Sequence, residues 1–264
     1  MTPILLDTGD MILAGGLIVG CVALSLVLSL GIHRTLIVAA IRMAAQLVLT
    51  GSVLLFVFGR SSVWLTLLVL AFMFSAATFE VGSRQVARLT PMWHFGIGGF
   101  STATGTIIVV LVGLLTALQP HPWYQARTAI PMTGLLLGNV MNATSLSMNT
   151  LLSMVSRERA AIEARLILGA TRAEAMNSLI RQSIRTALIP TLNQMAAAGV
   201  ITLPGIMTGQ ILAGMNPLDA SKYQIVLMSL IVSGNMIGAT LSAVLTATRL
   251  SDARGRLRLD HLSN

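Results

Sequence analysis

The sequence predicts an all-α, polytopic membrane protein with about seven transmembrane helices, its N-terminus outside and its C-terminus cytoplasmic. Three observations predict it. Of 264 residues, 55% are apolar and 10% charged, whereas a soluble domain carries about 25% charged residues. The apolar residues gather in runs of about 20, the length that crosses a bilayer core about 30 Å thick. The net charge is +8, and the basic residues behind it are unevenly placed along the chain. In a soluble protein such an excess points to nucleic acid. Between apolar spans it is accounted for by the positive-inside rule, so no nucleic-acid partner is expected.

The spans follow in order as Met11–Ile32, Leu36–Phe58, Val63–Gly82, Phe95–Leu118, Ala129–Val155, Thr191–Ala213 and Tyr223–Thr248, the alternative being six with one re-entrant or peripheral segment. Met1–Asp10 has no Lys or Arg and carries Asp7 and Asp10, so the first span reads as a retained helix, not a signal peptide. Cys21 within it reads as a small buried side chain. With the N-terminus outside, 13 of the 17 Lys and Arg fall on inner segments and 3 on outer loops, with Arg42 inside span two. The outer loop Gln119–Arg127 holds Trp123 and Tyr124, as an interfacial aromatic belt requires. The chain reads as one transmembrane domain over residues 1–264, with a basic cytoplasmic tail from 249 to 264.

Polar groups inside spans are costly and are functional candidates. Arg42 lies about 9 Å into span two and reads either as a pathway charge, paired with Glu80 at the end of span three, or as a snorkelling anchor. Gln46 sits one turn from it on the same face. Span five carries Asn139, Asn142, Thr144, Ser145, Ser147 and Asn149; spans six and seven add Asn193, Gln194, Gln210 and Asn235. These side chains either line a hydrophilic path or bond helix to helix at roughly 1 kcal/mol each. As a set they make span five the expected pathway wall. GxxxG patterns at Gly16–Gly20 and Gly134–Gly138 permit close helix contact. Pro204-Gly205 marks a break or hinge in span six. The 15 methionines suit Cu(I) better than iron as ligands, but they are also ordinary fillers of spans. His33, His94, His121 and His261 are scattered, so spacing alone gives no metal site.

The one substantial inner segment is Ser156–Leu188, within a loop of residues 155–190. Met176, Leu179, Ile180, Ile184 and Leu188 recur at helical spacing against a polar face, the pattern of an amphipathic helix. Thr171-Arg172-Ala173-Glu174 is a capping box that starts it. Gly169-Ala170 permits a turn after a first helix ending near Leu168. Pro190 is expected to break the chain before span six. This helix, turn, helix reads as an interfacial anchor or as a docking element for a cytosolic partner. A third reading, DNA binding by a helix-turn-helix, is not expected, because the helices abut the bilayer.

Glu163-Ala164-Arg165-Leu166-Ile167-Leu168-Gly169 resembles the E-A-x-x-x-x-G part of the coupling motif of ABC-transporter permeases, and Ala170-Thr171 continues the likeness. Glu163–Pro190, Leu203-Pro204-Gly205-Ile206-Met207-Thr208-Gly209-Gln210, Tyr223-Gln224-Ile225-Val226, Ile130-Pro131, Gly138-Asn139 and Arg42 with Gln46 resemble the FetB-type permeases. That family comprises bacterial iron-export permeases and plant aluminium-tolerance relatives. The resemblance implies a bacterial cytoplasmic (inner) membrane permease, export of iron or another metal ion, and a separate cytosolic ABC ATPase docking on Glu163, Ala164, Gly169, Ala170, Thr171 and Glu174. It also implies a homodimer, because two membrane halves and two ATPases are needed. No cofactor is expected on this chain and ATP is expected on the partner. A Walker A motif needs a Lys after a Gly-rich loop, and the single Lys, Lys222, sits in Ala220-Ser221-Lys222-Tyr223. The competing reading is a self-sufficient ion-coupled carrier or channel for a small solute. An intramembrane enzyme lacks a visible constellation.

Overall fold

The structure, a computed structural model, describes residues 7–60, 62–85, 88–89, 92–118, 125–250 and 262–263. Trp123, Tyr124 and the tail residues 251–261 lie outside the described residues. The chain is all-α apart from a two-residue antiparallel pairing of Arg88–Leu89 with Leu262–Ser263 and an isolated bridge between Ala198 and Thr202. It divides into two units, Met1–Ser62 and Val63–Asn264.

The first unit is a pair of packed helices, α1 (Thr8–Val27) and α2 (His33–Phe58). Asp7 caps α1 in a reciprocal box with Asp10, which satisfies two N–H groups the helix cannot. Ser29 (φ 53°) and Gly31 (φ 72°) turn the chain between the helices. Cys21 is exposed, not buried as expected. A uniformly apolar helix gives no clue to which of its faces is covered, because lipid and core select the same residues.

The second unit holds α3 (Val63–Ser83), α4 (Trp93–Val112) with a π-helical extension (Gly113–Leu118), α5 (Ala126–Arg157), α6 (Arg159–Ile167), α7 (Arg172–Ala197), α8 (Gly205–Leu212) and α9 (Pro217–Arg249). Among the described residues, five helical stretches are long and apolar enough to cross a membrane: Thr8–Val27, His33–Phe58, Val63–Ser83, Trp93–Thr116 and Pro217–Arg249. This is an integral membrane protein. The two weaker expected spans fare differently. At 32 residues, α5 is long enough, but its polar residues lower its hydropathy, and its neighbours α3, α4, α7 and α9 cover it.

The sixth expected span, Thr191–Ala213, is not one helix. Pro190 does not break the chain; α7 runs through it to Ala197. A proline inside a spanning helix is tolerated where neighbours accommodate the freed backbone. The break falls at 198–204, where Gly199 takes φ +83° and donates its N–H to the Thr202 carbonyl at 2.8 Å. Pro204 then caps α8, so the expected discontinuity at Pro204-Gly205 is present.

Helices α4, α5 and α9 meet through glycine, with Gly105 packed against Gly234 and Gly238. Of the glycines singled out by sequence pattern, a methyl at Gly16, Gly20 or Gly138 would meet nothing within 4 Å, and one at Gly134 would meet only the end of the Met73 side chain, at 3.0 Å. One buried apolar cluster joins Val81, Ile97, Met148, Leu152, Ile162, Met176, Leu179 and Ala243. It places the apolar faces of α6 and α7 in the same core as α3, α4, α5 and α9.

Candidate functional site

The polar groups of the second unit converge from four helices, α3, α5, α7 and α9. Glu80 and Arg84 are one turn apart and pair at 3.1 Å. Arg84 also donates from Nη1 to Asn142 Oδ1 at 2.9 Å, and its own carbonyl accepts from Asn149 Nδ2 at 3.3 Å. The next residue, Gln85, is buried and donates to Ser145 Oγ at 3.3 Å. Asn142, Ser145 and Asn149 lie at helical spacing on one face of α5. That face ties α5 to the end of α3.

Asn142 also borders a polar cleft of about 110 Å³ between α5, α7 and α9. Its lining is Asn139, Asn142, Ala143, Leu146, Ala187, Pro190, Thr191, Gln194 and Asn235. Asn139 donates to the Leu135 carbonyl at 2.8 Å, one turn back. Asn235 is 2% exposed and donates from Nδ2 to Thr191 Oγ1 at 2.7 Å. Its Oδ1 is buried without a partner among protein atoms. An unpaired buried acceptor costs about 1–3 kcal/mol, so this oxygen is poised for a group that enters the cleft. Neutral amides and hydroxyls can exchange hydrogen bonds with a hydrated or polar solute and release it.

Among the expected pathway residues, the structure brings Asn139, Asn142 and Gln194 to this cleft, and Glu80 and Asn149 to Arg84 beside it. Asn193 is exposed on α7 and does not line the cleft, and Gln210 sits apart on α8. Arg42 and Gln46 belong to α2 in the first unit. Sequence reasoning missed Arg84, Gln85 and Thr191. The signal for Arg84 was its place four residues after Glu80, a pairing distance on a helix. Among the described residues no group of three His, Cys, Asp or Glu side chains stands together to hold a metal.

At the other end of α5, Glu163 pairs with Arg159 at 2.8 Å on α6. Arg165 reaches the Ala175 carbonyl at 3.3 Å and Ser178 Oγ at 3.4 Å, tying α6 to α7. Gly169 takes φ +93°, a conformation other residues adopt at a cost. Ile167 and Leu168 at this turn are 85% and 87% exposed, while Ile162 is 1% exposed in the core.

The capping box forms as expected. Glu174 N–H donates to Thr171 Oγ1 at 3.3 Å, and Glu174 Oε2 accepts from both Thr171 Oγ1 and Thr171 N–H at 2.7 Å. The hydroxyl and then the backbone N–H of Thr171 hold the Glu174 carboxyl below its ordinary value of 4.5, slightly opposed by desolvation. A lowered folded value means that the charged cap stabilises above about 4.5 and is lost as pH falls through the lowered value. Thr171→Val is expected to return the Glu174 titration towards 4.5. Carboxyl NMR of the protein in micelles would read the shift, and an unmoved titration would assign the depression to other groups.

A family model for the uncharacterised protein family UPF0014 matches residues 8–250, from α1 to the end of α9. The chain belongs to the UPF0014 family. It is 38% identical over 244 residues to a UPF0014 membrane protein of Synechocystis, covering 92% of this chain and 93% of that one. It is 32% identical over 235 residues to the probable iron export permease protein FetB of Escherichia coli, covering 88% of each. The Protein ALUMINUM SENSITIVE 3 of Arabidopsis thaliana is 33% identical over 229 residues, covering 87% of this chain and 80% of the relative. No solved structure matches. UPF0014 relatives thus include a named membrane permease, and the family match takes in both the cleft and the α6–α7 turn.

Proposed function

We propose that this UPF0014 chain is the membrane-spanning subunit of an ABC-type exporter for iron or another metal ion. A separate ATP-binding subunit drives it from the cytoplasmic face. The observation that carries this reading is the α6–Gly169–α7 element. It joins the Glu163–Gly169 motif to an exposed apolar pair, Ile167 and Leu168, and its buried face shares the core of α5 and α9. A partner that grips the turn therefore acts directly on the helices that wall the cleft. Iron is the cargo for which the Escherichia coli relative is named. The homodimer follows from the two-fold architecture such exporters require. The cytoplasmic side is the one that collects 13 of the 17 basic residues.

The amide-lined cleft serves as part of the route in this reading. Asn139, Asn142, Gln194 and Asn235 give a passing ion or its water shell hydrogen-bonding partners without fixed opposite charge. Such a site binds weakly enough to release what it carries.

The test is co-purification with the neighbouring cytosolic ATPase and stimulation of its ATP hydrolysis in membranes. Glu163→Lys is expected to weaken both, and Gly169→Pro to abolish them, with the permease still folded. Retained binding and coupled hydrolysis in both variants would sink the docking role. Substrate flux by the chain alone in liposomes, under an ion gradient and without ATP, would favour the self-sufficient carrier instead.

A further inference from the structure

A second cleft, of about 400 Å³, lies between the end of α7, α8 and the start of α9. Three of its lining residues are methionines: Met195 from α7, Met207 from α8 and Met228 from α9. Gln224 lines the same space, is 8% exposed, and keeps its Oε1 buried without a protein partner. No His, Cys, Asp, Glu, Lys or Arg borders it.

We propose that this cleft binds a soft monovalent cation, Cu(I) or Ag(I), through the thioethers of Met195, Met207 and Met228, with the Gln224 amide oxygen as a further donor. Thioether sulfur prefers soft cations and has little affinity for hard divalent ones. A methionine that merely fills a core occupies its gap. Here three separate helices bring methionines to one open space: Met195 is 42% exposed beside it, Met207 borders it from α8, and Met228, 6% exposed, packs with Val109, Leu136 and Ile231 and borders it from α9. The buried amide oxygen supplies the independent indication of a ligand, since leaving it unpaired is costly unless something enters. The geometry also suits assembly on binding. Helix α8 has no buried residues of its own, follows the Gly199 turn and brings Met207 to the same cleft as Met195 and Met228. Ser221 approaches the Met207 sulfur at 4.0 Å and donates its proton to the Pro217 carbonyl at 2.8 Å, leaving the sulfur lone pairs available. This assignment is independent of the ATPase reading and of the amide-lined cleft, which offers oxygen and nitrogen groups only.

The experiment uses the full chain in detergent with Cys21→Ser as the parent, which removes the only thiol. Cu(I) is titrated against a chromophoric chelator. The parent is expected to withdraw Cu(I), and the M195L/M207L/M228L variant to lose that binding. Leucine keeps volume and apolarity. A control with the exposed Met43 and Met236 changed to leucine keeps it. Gln224→Leu is expected to weaken affinity by about tenfold or more. Should the triple variant fail to fold, Met207→Leu alone suffices, because α8 contributes nothing to the buried core, and reduced affinity is again expected. X-ray absorption at the copper edge should show sulfur neighbours. Equal binding by parent and leucine variants, loss of binding in the Met43/Met236 control, or a copper shell of only nitrogen and oxygen would each overturn the assignment.

Discussion

Gly105→Val is expected to prevent the second unit from reaching its native packing. A methyl placed on Gly105 would stand 2.9 Å from the Gly234 carbonyl oxygen, 3.1 Å from the Gly238 nitrogen and 3.1 Å from Val140 Cγ1. Two of those three atoms are backbone, so the contact is relieved only by separating α4 from α9. The facing glycines are as tightly bound. A methyl on Gly234 would lie 2.8 Å from Val140 Cγ2, and one on Gly238 would lie 2.7 Å from Thr144 Oγ1 and from Val140 Cγ1. Overpacking a core costs about 1–3 kcal/mol when side chains can adjust, and a branched residue against backbone falls at or beyond the upper end. Gly105→Ala is expected to lower the thermal midpoint in detergent clearly, and Gly105→Val to leave little monodisperse protein. Gly138→Ala supplies the contrast. Nothing lies within 4 Å of its added methyl, and alanine in a helix is favoured over glycine by about 1 kcal/mol. Similar midpoints for Gly105→Ala and Gly138→Ala would show that α4 and α9 are not held by this crossing.

This crossing also shows where the sequence stops being legible. Features that depend on neighbours in the chain can be read directly. The Thr171–Glu174 box, the Gly169 turn and the discontinuity at Pro204-Gly205 each rest on the hydrogen-bonding or dihedral chemistry of a few successive residues. Features that depend on which helix faces which cannot be read that way. Gly16–Gly20 and Gly134–Gly138 share a spacing with Gly234–Gly238, but only the last of these three patterns has both glycines pressed against other helices. Pro190 looks like a helix breaker, and α7 nonetheless continues through it. Cys21 sits in an apolar run and is exposed.

The polar site divides along the same line. The amide-rich composition of α5 marked Asn139 and Asn142 as candidates, because an amide inside a span needs a partner. What could not be inferred was the partner. Asn142 meets Arg84 across 58 residues of sequence, and Asn235 meets Thr191 across 44. Arg84 read as one more cytoplasmic positive charge until α3 placed it beside α5.

Asn235→Leu is expected to lower transport by more than its change in stability accounts for. The two readings of Asn235 differ in how far transport falls relative to stability, which makes the pair of measurements decisive. If the side chain only fastens α9 to α7, its loss removes the 2.7 Å bond to Thr191 and the protein weakens, with transport falling no further than stability. If its buried, unpartnered Oδ1 serves the cleft of about 110 Å³, transport falls further than stability, whose change sets the lost Thr191 bond against the relieved desolvation of Oδ1. One lost hydrogen bond to the transported species, at about 1–3 kcal/mol, corresponds to a roughly 10- to 100-fold slower flux. Thr191→Val separates the terms further, since it strands Asn235 Nδ2 without touching Oδ1. That variant is expected to lose stability and keep more transport than Asn235→Leu. The double variant is expected to recover the stability and not the flux, because two buried groups removed together leave neither unpaired. Iron uptake into inverted vesicles carrying the ATPase partner measures the flux, and unfolding in detergent measures the stability. Lowered stability with unchanged flux in Asn235→Leu would reduce the residue to a fastening between helices and move the route away from this cleft. Lowered flux at undiminished stability would place Asn235 among the groups that the passing ion or its water shell touches.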